Sequence, residues 1–75
     1  MLARKRSVSI SGHRTSFSLE DEFFDGLVRL AEAKSISLAA LVNEIDTCRH
    51  RDSNLSSELR LYVLSAAQDG QLPKR

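Results

Sequence analysis

Between Arg14 and Leu19 the chain reads Arg-Thr-Ser-Phe-Ser-Leu, a strict alternation that sends Thr15, Phe17 and Leu19 to one face and Arg14, Ser16 and Ser18 to the other. This is the pattern of a half-buried β-strand. Upstream, Val8 and Ile10 alternate in the same way with Ser7, Ser9 and Ser11, but with parity opposite to that of Phe17. A one-residue slip turns every side chain to the wrong face, so the phase has to be corrected between Ile10 and Arg14, and Gly12 is suited to that role. Two readings are open. A two-residue turn at Gly12-His13 sets Ile10 opposite Thr15 and Val8 opposite Phe17, both on the core side. A bulge or kink at Gly12 instead absorbs the shift within one longer strand.

Beyond Leu19 the period lengthens to that of a helix. Phe23, Phe24, Leu27, Val28, Leu30 and Ala31 recur at helical spacing behind Glu20, Asp21 and Glu22, whose negative charge suits the free N–H groups of a first turn. A first helix is expected over 20–34. Gly26 inside it costs about 1 kcal/mol relative to alanine, which points to a close packing contact. Ser37 is a good cap for a second helix over 38–49, with Leu38, Leu41, Val42 and Ile45 on one stripe and Ile36 and Leu41 placed as a hydrophobic staple. After a polar loop, Asn54 caps a third helix over 55–68. Leu55, Leu59, Tyr62, Val63 and Ala66 share one of its faces; Leu61 and Leu64 lie off that face and suit an intermolecular contact. Residues 7–68 then form a single domain (strand region 7–19), with a basic arm at 1–6 and a disordered tail at 69–75.

A chain of 75 residues buries only about 60% of its unfolded surface and usually needs a disulfide, a metal or a partner chain. Cys48 is the sole cysteine, and His13, Cys48 and His50 do not form the paired clusters of a structural zinc site. A partner chain is the remaining support. The formal charge is only +1, yet residues 1–19 carry Arg4, Lys5, Arg6 and Arg14 with no acid, which leaves +4 at this end and −3 over the rest. Such a split suits a polyanion approached from one side. Uncharged stretches such as 7–13 and 35–43 fall far short of the roughly 18 apolar residues of a membrane span. No apolar run follows the basic start to make a signal peptide, so a cytoplasmic location is expected, where one free thiol is ordinary.

The residues do not assemble a catalytic pattern. Glu20, Asp21, Glu22 and Asp25 crowd a helix start, where carboxylates serve the dipole and face solvent. Cys48 and His50 lack the second pair that would complete a metal site. There is no phosphate-binding glycine loop and no nucleophile elbow. No enzymatic activity, cofactor or metal is expected.

One polar-faced strand, a tight entry into a first helix, a short turn and a serine-capped second helix resemble the ribbon-helix-helix family of DNA-binding proteins over Arg14 to about Arg49. The run Gly12-His13-Arg14-Thr15-Ser16-Phe17-Ser18-Leu19-Glu20, followed by Ile36-Ser37-Leu38 and Asn54-Leu55-Ser56-Ser57, is similar to short bacterial members of that family. The resemblance implies a mainly α fold with a short N-terminal β element, joined into an intertwined two-fold homodimer. One strand from each chain would pair antiparallel, and the ribbon so formed would enter the major groove of double-stranded DNA.

Residue by residue, the resemblance puts base contacts at Arg14, Ser16 and Ser18 and a dimer core at Thr15, Phe17, Leu19, Phe24, Leu27, Leu41 and Ile45. It puts a phosphate on the second helix's N-terminus, at Ser37, Leu38 and Ala39. Arg4, Lys5, Arg6 and His13 would add phosphate contacts. The function implied is that of a sequence-selective, repressor-like transcription regulator. Two departures from the family pattern, the segment 8–11 before the strand and the third helix, would enlarge the dimer core, build a higher oligomer or repurpose the fold. The alternative function is a protein-interaction or oligomerisation module, or an antitoxin-like partner, acting through the third helix.

Overall fold

The phase change near Gly12 is made by a turn. In the computed structural model, which describes residues 2–50 and 52–72, β1 (Arg4–Ile10) and β2 (His13–Leu19) form an antiparallel hairpin. Its two-residue turn is Ser11-Gly12, one residue earlier than Gly12-His13. Both turn residues have positive φ, 50° and 81°, the twist that matches right-handed strands. The register therefore sets Ile10 opposite His13, Val8 opposite Thr15 and Arg6 opposite Phe17, displaced by two residues from the expected pairing. A displacement of two leaves each side chain on its face, so the core side is as the alternation requires. One further expectation changes: residues 4–6 open β1 and are not an arm. Within the chain, β1 pairs along one edge of β2.

The helix α1 (Asp21–Ala33) starts one residue after Glu20, whose backbone is extended (φ −64°, ψ 152°) and whose carboxylate turns to Arg60 instead of capping. It ends one residue before Lys34. There Ser35 takes φ 58°, its N–H donates to Glu32 O at 3.0 Å and the Ile36 N–H donates to Ala31 O at 3.0 Å, closing the helix with a left-handed cap. The helix α2 (Leu38–Cys48) is capped by Ser37, whose Oγ accepts from the Ala40 N–H at 3.0 Å. It stops before Arg49, whose backbone is extended. The helix α3 (Leu55–Gln68) is capped by Asn54, whose Oδ1 accepts from the Ser57 N–H at 3.3 Å. Gly70 supplies its left-handed cap (φ 73°), and the chain then folds back so that Leu72 packs beside Gly26. That contact replaces the expected loose tail over 69–72; residues 73–75 lie outside the described residues.

Beneath the hairpin, α2 lies against β1, α3 lies against β2, and α1 packs on both other helices. A Cβ placed on Gly26 would sit 2.8 Å from Val63 Cγ1, so glycine there is a condition of the close α1–α3 approach. Phe17, Leu19, Leu27, Leu41 and Ile45 are buried with Leu30, Val42, Leu59 and Val63, while Thr15 and Phe24 are partly buried. Of the seven residues expected in a dimer core, five are thus buried within one chain, beneath its hairpin and α3.

Candidate nucleic-acid interface

Alternation along two paired strands fixes which side chains share the hairpin's outer face. Residues opposite one another project to the same side, so Lys5 with Ser18, Ser7 with Ser16, and Ser9 with Arg14 make one surface. It contains four serines and two cations, with no apolar or acidic side chain. Arg14, Ser16, Lys5, Ser7 and Ser9 are exposed and Ser18 is half-buried. The structure thus places Arg14, Ser16 and Ser18 together as the sequence suggested, and adds Ser7 and Ser9, which were not singled out. Their signal was available in the alternation of serine with Val8 and Ile10.

The inner-face cations have other partners. Arg6 stacks over the Phe24 ring, 3.9 Å from its centroid, and donates from Nη2 to Asp21 Oδ1 at 2.6 Å; its side chain is only 21% exposed. Arg4 lies 3.5 Å from the same carboxylate. Arg6 is therefore held against α1, while the Arg4 side chain is 71% exposed. Lys5 points the other way, onto the outer face. Of the +4 at this end, the charge that has no acidic partner among the described residues is carried by Lys5 and Arg14.

At the opposite edge, β2 is tied to α3. The Ser18 N–H donates to Ser56 Oγ at 2.9 Å, and Arg60 Nη2 donates to the Ser18 carbonyl at 3.4 Å. Arg60 also grips the Glu20 carboxylate through both branches, at 2.8 and 3.3 Å, which holds Glu20 below the ordinary carboxyl pKa of 4.5. A fork-to-fork pair of this kind fixes orientation as well as charge, so Arg60 sets the strand-to-helix corner where the outer face ends.

The N-terminus of α2 sits beside the ribbon's tip. Ala39, Ala40 and Asn43 line a shallow groove of about 210 Å³ with Ser9, Ile10 and Ser11. Ser37 Oγ already accepts from Ala40, leaving the Leu38 and Ala39 N–H groups in the first turn, where a helix offers donors to an anion. His13 is exposed at the end of β2 next to the turn. On the far side, Leu61 and Leu64 of α3 are 56% and 46% exposed, and Leu61 borders a groove of about 380 Å³ with Ile45, Cys48 and Tyr62.

A two-stranded polar ribbon followed by packed helices defines a class, and the comparison with known families agrees with it. The family model of the ribbon-helix-helix domain matches residues 3–67, and the chain belongs to the ribbon-helix-helix family. Members of that family are in general DNA-binding transcription regulators or antitoxins and typically form dimers; the fold is not typically enzymatic. No curated protein and no solved structure matches the chain. Among the described residues, no helix is long and apolar enough to cross a membrane, and no group of three or more His, Cys, Asp or Glu is placed to hold a metal.

Proposed function

We propose that the protein is a repressor-like transcription regulator that works as a homodimer in the bacterial cytoplasm and places the outer face of its ribbon in the major groove of duplex DNA. The observation that carries this reading is the charge sorting of the hairpin: Arg4 and Arg6 pair with Asp21 on one face, while Lys5 and Arg14, which have no acidic partner among the described residues, share the other face with serines. A two-stranded ribbon fits the major groove, whose donor and acceptor pattern distinguishes all base pairs. Arg14 supplies the strongest selective contact, forking to guanine O6 and N7, while Ser16 and Ser18 donate to or accept from several bases. The α2 N-terminus at Ser37, Leu38 and Ala39, with His13 near the tip, anchors a phosphate and sets the depth of insertion.

A gel-shift titration of pooled genomic fragments tests the reading. Salt-sensitive binding is expected, with Arg14→Ala losing about 1–3 kcal/mol on the preferred fragment and much less on bulk DNA. Absence of binding to any duplex at low salt overturns it. The exposure of Leu61 and Leu64 favours a second reading, an oligomerisation module or antitoxin-like partner acting through α3. Unchanged mass by light scattering and unchanged pull-down partners in Leu61→Ser/Leu64→Ser would remove that second reading.

A further inference from the structure

The helix α3 is apolar on two sides. Leu59, Val63 and Ala66 are buried in the core, whereas Leu61 and Leu64 stand exposed. A helix with two apolar faces suits a place between two layers, and within one chain only one layer is present. Beside Leu61, the C-terminal half of α2 forms the other wall of the groove of about 380 Å³, in which Ile45 is buried, Tyr62 half-buried and Cys48 exposed. Two acids, Glu44 and Glu58, border it. Glu44 is shared with Lys34, whose Nζ donates to Glu44 Oε2 and to the Tyr62 hydroxyl, both at 3.3 Å. Glu58 has no basic partner among the described residues. No basic residue lies on α2, and the single base of α3, Arg60, is turned to Glu20.

We infer that this groove receives an amphipathic helix of another protein, with apolar residues recurring every three or four positions and lysine or arginine on the flank that meets Glu58. The inference rests on the second reading above, in which α3 meets a partner, and gives that partner a chemistry. Shape selects a helix. The trough between two packed helices accepts a third, whose side chains at i, i+3, i+4 and i+7 fill it. Charge selects a basic one. A second copy of this chain, set face to face, would meet Glu58 with an α2 and an α3 that offer it no cation, and would bring a second pair of acids to the same rim. Like charges brought together in this way work against pairing.

Two synthetic peptides of about five helical turns test it, with the same leucines at helical spacing and either lysine or glutamate at the remaining positions. Binding of each labelled peptide to the full chain is followed by fluorescence anisotropy. The lysine peptide is expected to bind roughly tenfold more tightly than the glutamate peptide, and Glu58→Lys to shift that preference towards glutamate by a similar factor. A gain for the glutamate peptide cannot come from misfolding. Leu61→Ser/Leu64→Ser, with helix content unchanged by circular dichroism, should lose both. Cys48, the sole cysteine, locates the peptide, because its alkylation by iodoacetamide should slow in step with occupancy. Unchanged alkylation at full binding places the peptide elsewhere and overturns the inference, as does equal binding of the two peptides. Failure of both peptides to bind also overturns it. If Leu61→Ser/Leu64→Ser then still lowers the mass by light scattering or loses a pull-down partner, the second reading stands without the inference; if it changes neither, both fall.

Discussion

Serine holds two positions where the backbone is left-handed, Ser11 at φ 50° and Ser35 at φ 58°. An L-residue pays about 1–2 kcal/mol for that conformation and glycine avoids the cost, although it loses more freedom on folding. Ser35→Gly is therefore expected to raise stability by about 0.5–1 kcal/mol, seen as a higher urea midpoint at unchanged slope. Gly26 runs in the opposite sense. Alanine there gains about 1 kcal/mol of helix propensity, but its methyl meets the stiff, branched Val63 at 2.8 Å. Overpacking should dominate and destabilise Gly26→Ala by about 1–3 kcal/mol; an equal or higher midpoint would show that α1 and α3 separate at little cost. Gly26 was legible in the sequence as a glycine misplaced by propensity. Ser11 was not, because serine carries no strong signature for the first residue of such a turn, and Gly12 beside it drew the turn one residue too far.

Among the elements, the hairpin shows what hydrophobic pattern can and cannot specify. Parity determines the face of each strand residue, and it made Val8, Ile10, Phe17 and the outer serines readable. Parity is blind to a displacement of two residues, so the pairing of Val8 with Thr15 had to come from the turn. Arg4 and Arg6 belong to β1, a place that the run of charge at 4–6 does not reveal. The partners that admit Arg6, the Phe24 ring and Asp21, belong to α1 and are remote in the alternation that defines the strand.

The corner between β2 and α1 carries a pH signature of its own. Arg60 lowers the pKa of Glu20 in the folded chain relative to 4.5, so the stabilisation from this pair is fully present above that value and is lost as pH falls through the folded pKa. Urea midpoints followed from neutral into acid should therefore fall less steeply in Glu20→Gln than in the wild type. Parallel curves would mean that the pair contributes nothing to folding.

At the scale of the whole molecule, the shortness of the chain suggested a core that only a partner could complete. Within one chain, a hairpin laid over three helices and Leu72 returned to α1 already bury eleven apolar residues. Helical content by circular dichroism is accordingly expected to persist when the protein is diluted until light scattering reports monomers. Loss of helix in step with dissociation would return the core to the dimer. The helices were legible from their caps and stripes; the way they pack beneath the hairpin was not, because no local pattern states which apolar faces meet.

The pairing of β1 with β2 in one hairpin has a consequence for how such a protein changes over generations. Where a ribbon is formed by two copies of one strand, a single codon governs both halves of its surface, and every change appears twice. Here each of the six outer positions has its own codon. Lys5 and Arg14 already differ, so the two halves of this face are free to drift apart one substitution at a time without disturbing the core beneath.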